Sequence, residues 1–570
     1  MKLQKHTYNV LALLLLLTLT NCQDLNYDES TGNTKEDIFN DIARSKSFVS
    51  AIYAYLPTDY NSIDGAMRAS ATDDAEHVND LSDVQKFNDG IWSAVQQLDN
   101  VWNNMYNGIR AANVYLKESE GKTFPDQQYT STYLILIKQY KNYAYEARFL
   151  RAYFYFELLK RYKSVPLIKT VLTPEEAENV EQASFEEVVD FIVNECDDIT
   201  TDDPVNKIYK LPLDYTAFAG ANETGRATKG AALALKARVL LYAASPLHNT
   251  NDLVLWQKAA KAAKQVMDLG IYTLPASYSS NFTMLVALPS SELIMERRVA
   301  ASNDFEKRNF PIGYEGGGTG FLPGTCPTQN LVDAYEMSRN GLPITNPASG
   351  YRPTLPYNGR DSRLAQTIIV NASAWKSKPV YTYYGGTNAL PLPNATKTGY
   401  YLRKHLIETI NLDPKLGTVT NREHSWIIFR YGEVLLNYAE AMNEAYGPAA
   451  TATDLNMTAL QAVNLVRRRA GMPVFPATLS KDDFRTKLRN ERRVELAFED
   501  HRFWDIRRWK IGNETKEIYK MDITLDANTN LIFERKLLET RAFDDKMYLY
   551  PIPQSEIFKS NGKIQQNTGW

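Results

Sequence analysis

The run Thr228 to Ala244 (TKGAALALKARVLLYAA) is apolar nearly all the way round a helical wheel and rich in alanine. A helix with no polar face cannot rest on a surface, so it must be packed between other helices. The rest of the chain supplies them. Leu253 to Leu269 follows across a loop at Pro246, with Gly270 as its stop, which predicts a helical hairpin. Upstream, within 98–116, Trp102, Met105/Tyr106, Ile109, Ala112/Asn113 and Leu116 recur at three- and four-residue steps. Tyr133 to Tyr162 carries Tyr145, Phe149, Ala152, Phe156 and Leu159 on one stripe and ends at Val165-Pro166. Ser45 to Tyr55 is a shorter amphipathic segment stopped by Pro57. Ser184 and Glu187 have capping-box spacing and open a helix over 185–198. Helical patterning resumes at Ser425–Ala445, Asp454–Ala470 and Lys481–Trp509. No strict 34-residue repeat is present, but helix pairs at this spacing predict tetratricopeptide-like stacking.

Between Pro275 and Arg422 the character changes. Gly, Pro, Asn and Thr cluster, as in Gly313–Gly320 and Tyr383–Asn388, and such clusters punctuate loops and short hairpins. The predicted fold is therefore mainly α: a superhelical scaffold of helix pairs over 35–274 and 423–570, carrying a large loop-rich insertion with short β-hairpins over 275–422. An insertion of that length is where ligand contacts are expected.

The N-terminus has its own logic. Lys2 and Lys5 precede an apolar run from Val10 to Leu19. A membrane span needs about 20 apolar residues, so residues 1–21 read as a removable export signal. Leu19-Thr20-Asn21-Cys22 resembles the lipobox of bacterial lipoproteins, in which the cysteine thiol takes a diacylglyceryl group. Cys22 is thus the expected lipidation site, and 22–34, polar and acidic, a flexible tether. Two or three acyl chains hold a protein firmly to a membrane. Loss of 1–21 takes the 64 Lys and Arg down by two to 62 against 67 Asp and Glu, a formal charge of −5. With that balance and no long basic stripe, nucleic acid is not an expected partner. The six histidines show no zinc-ligand spacing, so no metal or other cofactor is expected. Three cysteines are too few for a disulfide scaffold, and whether Cys196 and Cys326 pair is left open by sequence.

Several segments together carry a family resemblance. Thr228 to Tyr242, Arg489 to Glu499 continued by His501 to Trp509, Tyr550 to Ile557, and Gln566 to Trp570 are similar to segments of the SusD/RagB-type lipoproteins. Thr72-Asp73-Asp74-Ala75-Glu76 and Trp102 to Asn113 fit the N-terminal half of that family, and the matches run in family order along the whole chain. The resemblance implies a non-catalytic protein, lipid-anchored at the outer membrane and facing outward. It would capture oligosaccharides and pass them to a SusC-like TonB-dependent barrel. Peptide capture on the same scaffold is the alternative within the family. A glycoside hydrolase and a helical-repeat scaffold for envelope assembly are alternatives from other classes.

The residues themselves favour a binder. Glu491, Glu495, Glu499, His501 and Asp505 could be cast as acids and bases, but arginines are interleaved with them. Arg492 and Glu495, Glu499 and Arg502, and Asp505 and Arg508 lie three apart, which predicts ion pairs along one helix. No pair of carboxylates stands out as a glycosidase couple, and no nucleophile elbow or nucleotide fingerprint occurs. Sugar rings present an apolar face to aromatic side chains and hydroxyls to polar ones. Trp375, Tyr381, Tyr383 and Tyr384 in the insertion and Tyr314 beside the glycine run are therefore ligand-binding candidates, joined by Asp73, Asp74, Asn79 and Trp92 near the N-terminus, where the family resemblance implies ligand contacts. If residues 381–383 form a strand, Tyr381 and Tyr383 share a face.

Overall fold

The computed structural model describes residues 34–206, 208–214, 223, 225–283, 290–314, 316 and 322–570. The expected export signal, Cys22 and most of the expected tether lie outside the described residues. The principal helices, in chain order, are α1 (Ile42–Ile52), α2 (Trp102–Ser119), α3 (Tyr133–Tyr162), α4 (Phe185–Thr200), α5 (Lys229–Ala244), α6 (Leu253–Met267), α7 (Tyr431–Tyr446), α8 (Ala459–Arg469), α9 (Lys481–Glu495) and α10 (Arg502–Arg508).

Each start has a local cause. Ser184 accepts from the Glu187 backbone N–H while the Glu187 carboxylate accepts from the Ser184 N–H at 2.8 Å, so α4 opens with the predicted box. Thr228 caps α5, and Asp252 caps α6. Behind α6, Gly270 takes φ +66°, a left-handed turn that glycine adopts without strain. Within α5 only Lys229 and Lys236 reach partly into solvent. This helix is surrounded: α4 and α6 flank it, and α3 and α7 touch it as well.

The packing forms a continuous stack. Helices α1 and α2 lie on α3, α3 on α4, α4 on α5, α5 on α6, α6 on α7, and α7 on both α8 and α9. This tetratricopeptide-like helical scaffold therefore runs through α6 into α7 although more than 150 residues of chain separate them. The separation is closed at its base by two strands. β1 (Leu293–Ser302) pairs antiparallel with β2 (Arg422–Arg430), Trp426 opposite Arg297 and Ile427 opposite Glu296. Between them the described chain carries short helices such as Gln329–Ala334 and Arg363–Thr367, and strand pairs of two or three residues, including Ser373–Trp375 with Lys378–Val380.

Three elements differ from expectation. Residues 422–430 are strand β2 rather than the start of α7, because His-Ser-Trp-Ile-Ile-Phe is aromatic and β-branched and finds β1 as a partner. The predicted single helix 481–509 breaks at 496–501, where Phe498 and Asp500 take φ of +59° and +58°. The carbonyls released there gain buried donors. Arg430 Nη2 donates to the Glu495 oxygen at 2.9 Å, Lys404 Nζ to that of Ala497 at 2.8 Å, and His405 Nε2 lies 2.9 Å from that of Phe498. A hairpin of β3 (Glu517–Leu525) and β4 (Leu531–Thr540) was not legible from pattern.

Cys196 and Cys326 are both free and buried, and burial pushes the Cys326 thiol up to about 12. Among the described residues no helix is long and apolar enough to cross a membrane, and no group of three or more His, Cys, Asp and Glu is arranged to hold a metal ion.

Candidate ligand-binding surface

The tyrosine cluster of the insertion is built on one asparagine. After the Lys378–Val380 strand the chain turns rather than continuing extended. Asn388 Oδ1 accepts from the Tyr381 N–H at 3.0 Å, and the Asn388 N–H donates to the Tyr381 carbonyl at 3.1 Å. Its Nδ2 donates to the Ile312 carbonyl at 2.5 Å, and its own carbonyl accepts from the Tyr401 hydroxyl at 2.8 Å. Inside the turn Gly386 donates to the Tyr383 carbonyl at 2.7 Å. A Cβ at Gly386 would sit 2.7 Å from the Tyr381 oxygen and 2.8 Å from that of Tyr383, so only glycine fits without a backbone shift. Tyr384 N–H donates to the Ile523 carbonyl at 2.8 Å, which fastens the loop to β3.

Fixed in this way, the Tyr381 and Tyr383 rings stand 5.7 Å apart at 53°. They meet because the loop folds back, not because the segment is a strand. Tyr384 is 61% exposed and Tyr381 36%, while Tyr383 is half-buried. The three phenol oxygens make no hydrogen bond with any described residue. Tyr314 approaches through Ile312–Gly313, which touches Asn388, and its hydroxyl donates to the Trp375 carbonyl at 3.1 Å. Burial, with Glu408 nearby, raises the Tyr314 phenol above its ordinary range. Asn79 stands apart from this loop: its neighbour Asp80 pairs with Lys397, which lies beyond the Tyr381–Asn388 turn. The Asn79 Oδ1 accepts from the Leu81 N–H at 3.0 Å. The candidates Tyr314, Tyr381, Tyr383 and Tyr384 are thus tied to one hydrogen-bonded loop system.

Trp92, Trp375, Asp73 and Asp74 are instead buried in the fold, as a correction to the sequence reading. Trp92 is 3% exposed and packs among Phe87, Tyr550 and Trp570 at 4.6 to 5.0 Å between ring centres. Trp375 is 1% exposed, edge-on to Phe310 at 5.3 Å with the Arg403 guanidinium over its ring. Neither offers a face to a ligand, because indoles this large fill core space. Asp73 receives Arg502 through two bonds of 2.9 Å and lies 3.0 Å from Arg493, which also donates to Asp74 at 2.6 Å. Burial opposes ionisation of Asp73, but Arg493 and Arg502 outweigh it and hold the carboxyl down at about 2. With Arg541 paired to Glu76 and donating to the Thr72 carbonyl, segment 72–76 is a clasp between the N-terminal part and the C-terminal helices.

The charged segment 489–509 is a network, but a long-range one. Only Asp505 and Arg508 form the local pair predicted, at 2.7 Å. Arg492 turns to Asp505 at 2.8 Å and to Asn437 at 2.6 Å. Glu495 gathers Arg363, Arg430 and Arg469, and Glu499 takes Arg430 at 2.6 Å and Lys404 at 2.6 Å.

Sequence reasoning missed Asn388 and Tyr401 as the staples of the tyrosine loop; Asn388 stood in the turn-rich run Tyr383–Asn388 but only as punctuation. A wider concavity of about 600 Å³ lies away from the tyrosines, between α2, residues 166–180 and the C-terminal segment, lined by Trp102, Tyr106, Ile168, Leu172 and Ile564.

Comparison with known proteins places these features in context. A model described as the SusD family matches residues 291–570, and one described as starch-binding associating with outer membrane matches 26–241. A SusD-like protein from Bacteroides fragilis superposes with a TM-score of 0.75 at 28% identity, covering 94% of this chain and 98% of that one. A second, described as a SusD-like carbohydrate binding protein from the same species, gives 0.72 at 25% identity over 92% of this chain and 100% of its own. SusD-like protein P38 of Formosa agariphila is 23% identical over 71% of both chains. SusD-like protein P2 of that organism is 32% identical, but the match spans only 26% of each.

Proposed function

The chain belongs to the SusD family, and on that premise we propose that it is a non-catalytic lipoprotein of the outer membrane that captures oligosaccharides. In this reading 1–21 is removed, Cys22 carries the lipid, and 22–34 lets the body stand off the outward face of the membrane. The insertion 275–422 meets the ligand, and a SusC-like TonB-dependent barrel receives it. The single observation that supports glycan capture is the loop holding Tyr381 and Tyr384 exposed beside half-buried Tyr383, with no phenol oxygen bonded to a described residue. A sugar's C–H face stacks on such rings, and its hydroxyls can pair with the phenol oxygens. Because the loop is stapled by Asn388 and by β3, little backbone freedom is lost on binding.

The test is calorimetry of the purified protein against a panel of neutral oligosaccharides, with chromatography of the same mixtures. Expected are a micromolar or weaker ligand, about −8 kcal/mol or less in magnitude, and no shortened product. The double substitution Y381A/Y384A weakens that ligand at least about ten-fold, roughly 1.4 kcal/mol, without lowering the thermal midpoint. Cleavage products, or unchanged affinity in the double variant, would overturn the reading.

A further inference from the structure

A second concavity in the insertion has a different chemistry. It encloses about 540 Å³ within 337–359, inside the ~300–1,000 Å³ common for small-molecule sites. Its frame is rigid. Met337 N–H donates to the Leu342 carbonyl at 3.0 Å, and Ser338 N–H to that of Gly359 at 2.8 Å. Asn340 Nδ2 reaches the Ala348 and Ser349 carbonyls at 3.2 Å each, and Gly350 turns the wall at φ +75°. A Cβ at Gly350 would meet nothing within 4 Å, so the wall opens there.

Two arginines, Arg339 and Arg352, line this concavity, both exposed. Neither guanidinium makes a hydrogen bond or ion pair with any described residue. By contrast, Arg363, Arg430, Arg467, Arg469, Arg502 and Arg508 each hold a carboxylate. Asn358 adds an amide with no side-chain bond among the described residues. No acidic side chain lines the cavity. Two cationic forks beside the Asn358 amide, in a recess of sugar size, match an oxyanion attached to a hydroxylated body. The forks suit the two oxygens of a carboxylate or sulfate, and the Asn358 amide suits a hydroxyl.

We infer that the 337–359 recess binds the carboxylate or sulfate group of an acidic sugar. The inference rests on the glycan-capture reading for the sugar body, and on the two arginines alone for the acidic group. It predicts a second contact region for acidic glycans, separate in its chemistry from the tyrosine loop.

The experiment is calorimetry of the purified protein with a trimer of galacturonic acid, a sulfated galactose trimer, the neutral galactose trimer and inorganic sulfate, at low and high salt. At least one acidic trimer binds ten-fold or more tightly than the neutral trimer, and the gap narrows as salt rises. The substitution R339A/R352A removes that gap while leaving the thermal midpoint and any neutral binding unchanged. R339K/R352K restores part of it, since a lysine keeps the charge but not the fork. The proposal is overturned if neither acidic trimer is favoured over the neutral one. It is equally overturned if the arginine-to-alanine pair leaves the gap intact, or if only inorganic sulfate binds. The neutral arm with Y381A/Y384A reads the tyrosine loop separately, so a failure there does not imitate a failure here.

Discussion

Asp73 shows how a residue that resembles a binding group can be consumed by the fold. Its carboxylate faces two guanidiniums and lies in the core, so its work is to hold residues 72–76 against α9 and α10. The pH dependence follows. An unfolded aspartate titrates near 3.9, whereas Asp73 is held at about 2. Its contribution is fully present above the unfolded value and is lost as pH falls through the folded one. The substitution Asp73→Asn is expected to cost about 3 kcal/mol at neutral pH, because it leaves buried guanidiniums short of an anion. Urea melts should also show a shallower loss of stability between pH 4 and pH 2 in the variant. Equal stability of the two proteins at pH 7 would contradict the clasp.

At the scale of the element, the approach of α2 to α3 depends on a missing side chain. A Cβ at Gly108 would lie 2.6 Å from Phe154, a fully buried ring on α3. Gly108→Ala gains about 1 kcal/mol of helix propensity. Overpacking a core contact costs about 1–3 kcal/mol, and Phe154 has no solvent to swing into. The clash wins, and the variant should melt several degrees lower than wild type. A raised melting temperature would mean that the two helices separate more easily than their packing suggests. The same weighing of local preference against tertiary demand accounts for the broken helix at 496–501. Continuing the helix would satisfy three carbonyls internally but would strand Arg430 and Lys404, whose charges need those oxygens and Glu499.

Over the whole molecule, the buried charges join what the chain order separates. Arg430, at the end of β2, holds Glu292 beside β1 at 2.7 Å and Glu495 of α9 at 2.7 Å. The base of the insertion is thereby locked to the C-terminal helices. Arg430→Met should cost about 3–5 kcal/mol, the penalty for leaving buried carboxylates unpaired. It should also speed hydrogen exchange in β1 and β2 before it affects α3 and α4. Uniform loss of protection across the molecule would show instead that the network holds everything equally. The loops gain from this arrangement, because the insertion is only as rigid as its base.

Much of the scaffold was legible from residues alone. The bounds Tyr133–Tyr162, the box at Ser184 and the buried character of α5 follow from period, caps and composition, which act over a few residues. The family was legible too, since its segments keep their order along the chain. What sequence could not decide was the destination of each polar or aromatic side chain. Trp375 and Tyr384 read alike in a loop-rich stretch, yet one is core and the other faces solvent. Glu495 was matched with the arginine three residues before it and instead met three from distant elements. Local pattern sets which backbone forms, because its hydrogen bonds close within a turn. Burial and charge pairing are settled only when remote segments arrive, since both depend on what excludes water from the group.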